Sequence, residues 1–283
     1  MRAPLRARMT GFSLVELLVV MGVLLLLAIL VVVSAGRIGR DVRLATGVNV
    51  VTVALGDARS HAIRTNNVVL VTFRVAPTTE DPARGQLVEV VVAEWTRDTI
   101  ENEQQPGTQL DRFRPVQNLP PRQLPRGIKV AGPWTDRASG PNQNFDFTWL
   151  TQPQFAATLA QSEFDRSFAI LFGPDGAVVT RNPFGAFAAR QVPFVDYDGD
   201  GKQNGTLHPT AEDPWWTYSL NFREVNLNPA TFLAVYDDAD ARQRYDTANW
   251  AANEAARRNA LSEYIGLYAD RINFNLFTGV VLR

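Results

Sequence analysis

The sequence predicts an α+β fold in which a long N-terminal helix, with a transmembrane half and an amphipathic half, packs on an antiparallel β-sheet domain with a large C-terminal insertion. Residues 12–33 are apolar except for Glu16, and about 22 residues at ~1.5 Å each span the ~30 Å core of a bilayer. Beyond this run the apolar spacing first follows a helix and then alternates as in a strand. We therefore expect a transmembrane helix at 12–33, an amphipathic stalk helix at 34–67 and a β-rich domain at 68–283.

The stalk segment has one apolar face. Its apolar residues recur at steps of three and four, at Leu44, Val48, Val51, Leu55, Ala58 and Ala62. Asn66 and Asn67 can end the helix in a left-handed turn. We expect this face to pack on the protein's own sheet, and we expect subunit contacts along residues 12–33.

Short β-rich runs separated by turn residues follow the stalk. The predicted strands are 68–75, 87–93, 145–150, 167–172, 177–180, 231–236 and 272–282. Residues 101–126 hold five prolines and few large apolar residues, which predicts an irregular surface segment. The Ala-rich stretch 239–267 predicts a helix.

Composition argues against several functional classes. The chain has no cysteine, which excludes disulfides, thiolate metal sites and a thiol nucleophile. A formal net charge of -1 lacks the basic excess of a nucleic-acid-binding protein, so we expect no nucleic-acid partner. The two histidines, His61 and His208, leave little for histidine-dependent catalysis, and no nucleophile elbow, phosphate loop or dinucleotide motif is present. We expect a protein that is not an enzyme.

The N-terminus carries a specific motif. Gly11 follows a short basic leader and precedes the apolar run FSLVELLVV at residues 12–20. This pattern resembles the type IV prepilin signature shared by pilins and type II secretion pseudopilins. The resemblance implies a leader peptide at 1–11, cleavage after Gly11 by a prepilin peptidase, methylation of the Phe12 amine, and Glu16 as the fifth residue of the mature chain.

Glu16 has a physical role in this interpretation. An unpaired carboxylate inside a membrane costs on the order of 2.5 kcal/mol or more, and the Phe12 ammonium of a neighbouring subunit can neutralise it. The alternative is that Glu16 lies at headgroup depth without a partner. The expected partners are other pilin or pseudopilin subunits, the prepilin peptidase, an inner-membrane assembly platform and membrane lipid. The expected location is the bacterial inner membrane, with a single pass and the C-terminal domain in the periplasm.

Three further segments narrow the resemblance. Residues 58–67 lead into a Val-rich strand, and the runs FGPDG at 172–176 and FTGVV at 277–281 occur later. They resemble the GspH/FimT group of minor pseudopilins, whereas residues 181–270 have no counterpart and are predicted to be the insertion. The resemblance implies a minor pseudopilin that adds a subunit to a short periplasmic filament of a type II secretion-like system. Two alternatives stay open: a minor pilin of a type IV pilus acting in adhesion or DNA uptake, and a signal-anchored envelope enzyme or binding protein.

One acidic loop has the spacing of a calcium site. Ligand positions 1, 3, 5, 7 and 9 are filled by Asp196, Asp198, Asp200, the carbonyl of Lys202, and Asn204. The spacing resembles EF-hand loops, with Gly201 at the bend, but position 12 is Leu207 instead of a bidentate glutamate. We predict a structural Ca2+ here. The alternative is a solvated acidic turn with a hairpin bend at Asn204 and Gly205.

Overall fold

The computed structural model describes residues 14–75, 87–101, 109–135, 147–151, 167–179, 192–197, 199–203, 224, 227–245 and 254–282. The chain divides into two compact units, Met1–Val42 and Arg43–Arg283. Helix α1 extends over Leu14–Thr65 and contributes residues to both units.

The described apolar side chains of the first unit are exposed. Twelve large apolar residues between Leu14 and Leu27 have exposed fractions from 51% to 81%. Glu16 lies among them in the first turn of α1 and is also exposed. The described side chains of this unit therefore form no core of their own.

The predicted membrane anchor is contradicted. In the part of the chain described above, no helix is both long enough and apolar enough to cross a membrane. The prediction of a single-pass protein of the bacterial inner membrane, with its C-terminal domain in the periplasm, is therefore wrong.

In the second unit α1 buries one face. The buried hydrophobic residues of this face are Val48, Val51, Ala54, Leu55, Ala58 and Ala62, which include most of the apolar stripe predicted from the sequence. A Cβ atom at Gly47 would lie 2.6 Å from Cγ2 of Ile128, so the side chain of Ile128 packs directly on the helix backbone at Gly47. Asn66, with φ of 48°, ends the helix in a left-handed turn, and the amide of Asn67 donates to the carbonyl of Ala62.

The described residues form two sheets. Their strands are β1 Val69–Val75, β2 Val88–Glu101, β3 Gln109–Pro115, β4 Arg122–Gln123, β5 Ile128–Thr135, β6 Phe147–Thr151, β7 Ser167–Phe172, β8 Val192–Val195, β9 Leu227–Pro229, β10 Phe232–Asp237, β11 Asp270–Phe274 and β12 Val281–Leu282. The first sheet has the order β8-β3-β2-β1-β7-β9, with β4 paired to β2. The second has the order β12-β11-β10-β5-β6 and is antiparallel throughout.

The main core lies where α1 and the two sheets meet. Alternate residues of each central strand point into it, as the period-two pattern of a half-buried strand requires. The first sheet supplies Val69, Val71, Phe73, Val90, Ile170 and Phe172, and the second supplies Ile128, Val130, Leu233, Val235 and Ile272. The opposite face of the first sheet carries a second apolar cluster that includes Leu70, Val91, Phe113 and Leu171. Helices α2 (Asp238–Arg244) and α3 (Glu254–Tyr268) cover the second sheet through a third cluster.

The fold class predicted from the sequence is wrong. The structure is a mixed α/β arrangement with two sheets, without the expected transmembrane half in the described residues. The first sheet is not purely antiparallel, because β3 pairs with β8 and β7 pairs with β9 in parallel. Parallel pairs need long crossover connections. The segment predicted to be an insertion, 181–270, contains both parallel partners, β8 and β9, as well as β10, so it supplies strands to both sheets.

Candidate functional site

The processing and assembly residues are only partly described. Gly11 and Phe12 lie outside the described residues, whereas Glu16 lies in the first turn of α1. A carboxylate at this position also interacts favourably with the positive end of the helix dipole, typically by ~0.3–1 kcal/mol. The roles predicted for the three residues are not tested by this placement and stay predictions.

Asp196 anchors the acidic loop to the first sheet. Its amide donates to the carbonyl of Phe113 at 2.8 Å, which continues the parallel pairing of β3 and β8. Its carboxylate is fully buried. The oxygens accept hydrogen bonds from Nε of Arg112 at 2.6 Å, from the amide of Gly199 at 2.5 Å and from the amide of Gly201 at 3.2 Å.

The other predicted calcium ligands are less defined. Asp200 is exposed, and its Oδ1 accepts a hydrogen bond from the amide of Lys202 at 2.8 Å. Asp198 and Asn204 lie outside the described residues. Among the side chains that can be placed, no group of three or more histidines, cysteines, aspartates or glutamates could hold a metal ion. The calcium site stays a prediction.

Polar links tie the end of α1 to the rest of the second unit. Arg122 on β4 donates to Asp57, and Nε of Arg59 donates to the carbonyl of Thr278 at 2.7 Å. These contacts hold one turn of the helix against two different parts of the domain. The sequence provided no signal for them, since each pair is far apart along the chain.

His61 forms a further link whose proton positions follow from its partners. Its Nε2 lies 2.8 Å from Oε2 of Glu94, and Nη2 of Arg64 lies 3.0 Å from its Nδ1. A guanidinium can only donate, so for the neutral ring Nδ1 accepts and Nε2 donates to the carboxylate of Glu94. The ring is thus a structural bridge between α1 and β2, and no nucleophile that it could activate is among these described contacts.

The two turn motifs singled out in the sequence meet beside this helix end. A Cβ atom at Gly279 would overlap the carbonyl oxygen of Gly176, so the backbones of the two turns touch. The amide of Val178 donates to the carbonyl of Leu276 at 3.0 Å. The motif segments near 172–176 and 277–281 are therefore one packed unit, which sequence reasoning could not place together.

Asp111 on β3 is a buried acid that the sequence did not point out. Its side chain is 1% exposed, and its Oδ2 has no hydrogen-bond partner among the described residues. Burial raises the pKa of Asp111 to about 6, and the hydroxyl of Thr99, 3.5 Å from Oδ1, offsets part of that rise. Asp111 lies opposite Pro193 of β8 in the sheet, and Pro193 has no amide hydrogen to donate. We assign Asp111 no chemical role, because no candidate substrate site adjoins it in the described residues.

The described arrangement contains links and loops and no assembled catalytic group. Comparisons of the chain with protein-family models, with curated proteins and with solved structures found no match.

Proposed function

We propose that this chain is a structural subunit of a pilin-like filament, of the minor pseudopilin type of type II secretion-like systems, without a catalytic role. Its partners are other pilin or pseudopilin subunits, and a prepilin peptidase prepares it by cleavage after Gly11. One observation carries the proposal: the prepilin-type motif at residues 11–20 leads directly into an exposed apolar helix segment that holds a single carboxylate, Glu16.

The exposed apolar segment supports assembly on energetic grounds. Large side chains between Leu14 and Leu27 are more than half exposed all around the helix. Soluble monomers rarely leave an apolar patch of this size uncovered, and each Å² removed from water contributes ~25 cal/mol. Helices of neighbouring subunits can cover every side of such a segment at once, as side-by-side packing in a filament requires.

Glu16 gives that packing a register. A carboxylate enclosed by apolar helices without a partner would be costly, typically ~3–5 kcal/mol for a buried charge that has lost its pair. Cleavage after Gly11 would create an ammonium group at Phe12, four residues before Glu16. Pairing between the amine of one subunit and the carboxylate of the next favours one axial offset over others.

The links at the other end of α1 suit a subunit that transmits force. Asp57, Arg59 and His61 each contact a different segment of the second unit through a side chain. Pulling on the helix would have to break these contacts together with the buried apolar face. A filament subunit needs this coupling between its helix and its domain.

The absence of native cysteine makes a direct test possible. Leu18→Cys introduces a single thiol into the exposed apolar segment, two residues after Glu16, and oxidation in cells that express the assembly machinery reports whether neighbouring subunits meet along this segment. We expect a cross-linked dimer in the Leu18→Cys protein. Adding Glu16→Val should reduce the cross-linked fraction about tenfold or more, since about 1.4 kcal/mol corresponds to a factor of ten.

Glu16→Asp is the matched control because it keeps the charge. It should retain most of the cross-linking, while equal cross-linking in Glu16→Val and the parent would remove the pairing argument.

Mass spectrometry of the purified protein is the second readout. A mature chain that begins with N-methylated Phe12 is expected, and an uncut leader in functional protein would refute the filament proposal.

A further inference from the structure

The described residues of the acidic loop, 196, 197 and 199–203, include two that contact a guanidinium group of the same chain. Arg112, on β3, donates from Nε to Oδ2 of Asp196 at 2.6 Å, and its Nη2 lies 3.5 Å from the carbonyl oxygen of Gly199. The arginine side chain is 15% exposed and the Asp196 side chain is fully buried. A carboxylate and a backbone carbonyl are oxygen donors of the kind that a hard metal cation selects. In this loop the carboxylate of Asp196 and the carbonyl of Gly199 both face the guanidinium of Arg112.

The loop conformation fits closely around β3. Gly199 and Gly201 have φ values of 80° and 82°, a left-handed geometry that lets their amides turn inward to the Asp196 carboxylate. A Cβ atom at Gly199 would lie 2.7 Å from Nη2 of Arg114, so the backbone comes close to a second arginine of the same strand. Two arginines therefore border the concave side of the loop.

We propose that Arg112 is the resident cation of this loop, so that the loop closes without metal and Ca2+ and Arg112 exclude each other at Asp196. A divalent ion bound to Asp196 would approach the carboxylate oxygen that Arg112 holds at 2.6 Å. The guanidinium of Arg112 carries a positive charge. Like charges at such separations repel strongly where water is excluded. The inference is independent of the filament proposal.

The decisive variant is Arg112→Gln, which removes the charge and keeps a nitrogen donor at about the position of Nε. In EGTA it should lower Tm by about 5–10 °C, because the buried carboxylate of Asp196 loses its partner. CaCl2 at a few millimolar should then raise the Tm of this variant and leave the Tm of the parent unchanged.

Arg114→Gln is the matched control. Arg114 lies two residues along the same strand, borders the same loop and is exposed, so its replacement removes an equal charge. This variant should retain the Tm of the parent and its indifference to CaCl2. Arg112→Lys, which keeps the positive charge, should also show no calcium response, and it keeps the test informative should Arg112→Gln not fold.

Terbium provides a direct measure of binding. Tyr197, the residue next to Asp196, provides an aromatic ring that can sensitise the luminescence of Tb3+ bound at the loop. We expect a signal from Arg112→Gln and none from the parent or from Arg114→Gln. Terbium bound at the loop of the parent, or a destabilised Arg112→Gln protein that CaCl2 does not stabilise, would overturn the proposal.

Discussion

Replacing Asp111 with asparagine should stabilise the protein at neutral pH. The carboxyl group is 1% exposed, and burial raises its pKa from 3.8 to about 6. Each pKa unit corresponds to 1.36 kcal/mol, so a difference of about two units means that ionisation of Asp111 costs the folded state about 3 kcal/mol. The amide avoids this cost. It introduces a buried NH2 group whose desolvation takes back ~1–2 kcal/mol. A net gain of about 1–2 kcal/mol is expected above pH 7.

The sign of the pH dependence follows from the direction of the pKa shift. The folded protein binds the proton of Asp111 more tightly than the unfolded chain does. The stability due to this proton is fully present below pH 3.8 and is lost as the pH rises through about 6. The asparagine of the Asp111→Asn variant has no such proton, so the advantage of the variant should be absent at pH 4 and reach its full size by about pH 7.

Urea unfolding of both proteins between pH 4 and pH 8 measures this difference. At each pH the free energy of unfolding of the parent is subtracted from that of the variant. This difference cancels the contribution of all other titrating groups. The reasoning would be refuted by a stability difference that stays constant across this range, because a constant difference indicates altered packing and not an altered charge. A variant that is less stable at pH 8 than the parent would also contradict it.

Two further predictions concern stability. Lys129→Ala should destabilise the protein by about 2 kcal/mol in urea unfolding, because the buried carboxylate of Asp238 loses the ammonium group that lies 3.1 Å away and keeps Arg242 as a partner. Burial alone would raise the pKa of Asp238, but Lys129 and Arg242 hold that pKa below its ordinary value, so the stabilisation from this pair should weaken as the pH falls below 4. Gly279→Ala should cost roughly 2 kcal/mol or more, because its φ is 65° and its Cβ would meet the carbonyl oxygen of Gly176. Gly56→Ala, in open space on α1, is the control and should stabilise by ~1 kcal/mol; equal Tm changes at the two glycines would disprove the contact between the turns.

Local sequence patterns identified several elements because their cause is local. The spacing of Val48, Val51 and Leu55 follows the helical repeat, and these residues are the buried face of α1 in the second unit. The alternation after Asn67 marks β1, which extends over Val69–Val75. Asn66 ends the helix with a positive φ, as its side chain permits.

The strand β3 was missed because its neighbours decide its environment. Its sequence QLDRFRP lies in a stretch with many prolines and carries three charges, which favours an irregular surface segment. In the sheet Leu110 and Phe113 are fully buried, and Arg112 pairs with Asp196. These charges suit a strand only because another segment of the chain neutralises them.

The sequence by itself determined where α1 ends, where β1 begins and where the acidic loop lies, because each depends on residues within a few positions of one another. Only the tertiary structure decided that β3 and β7 have parallel partners and that Asp196 faces the guanidinium of Arg112, 84 residues away. The spacing of the loop oxygens resembles a metal site. What those oxygens bind depends on the charge that the rest of the fold brings to them, and that charge is not encoded in the spacing.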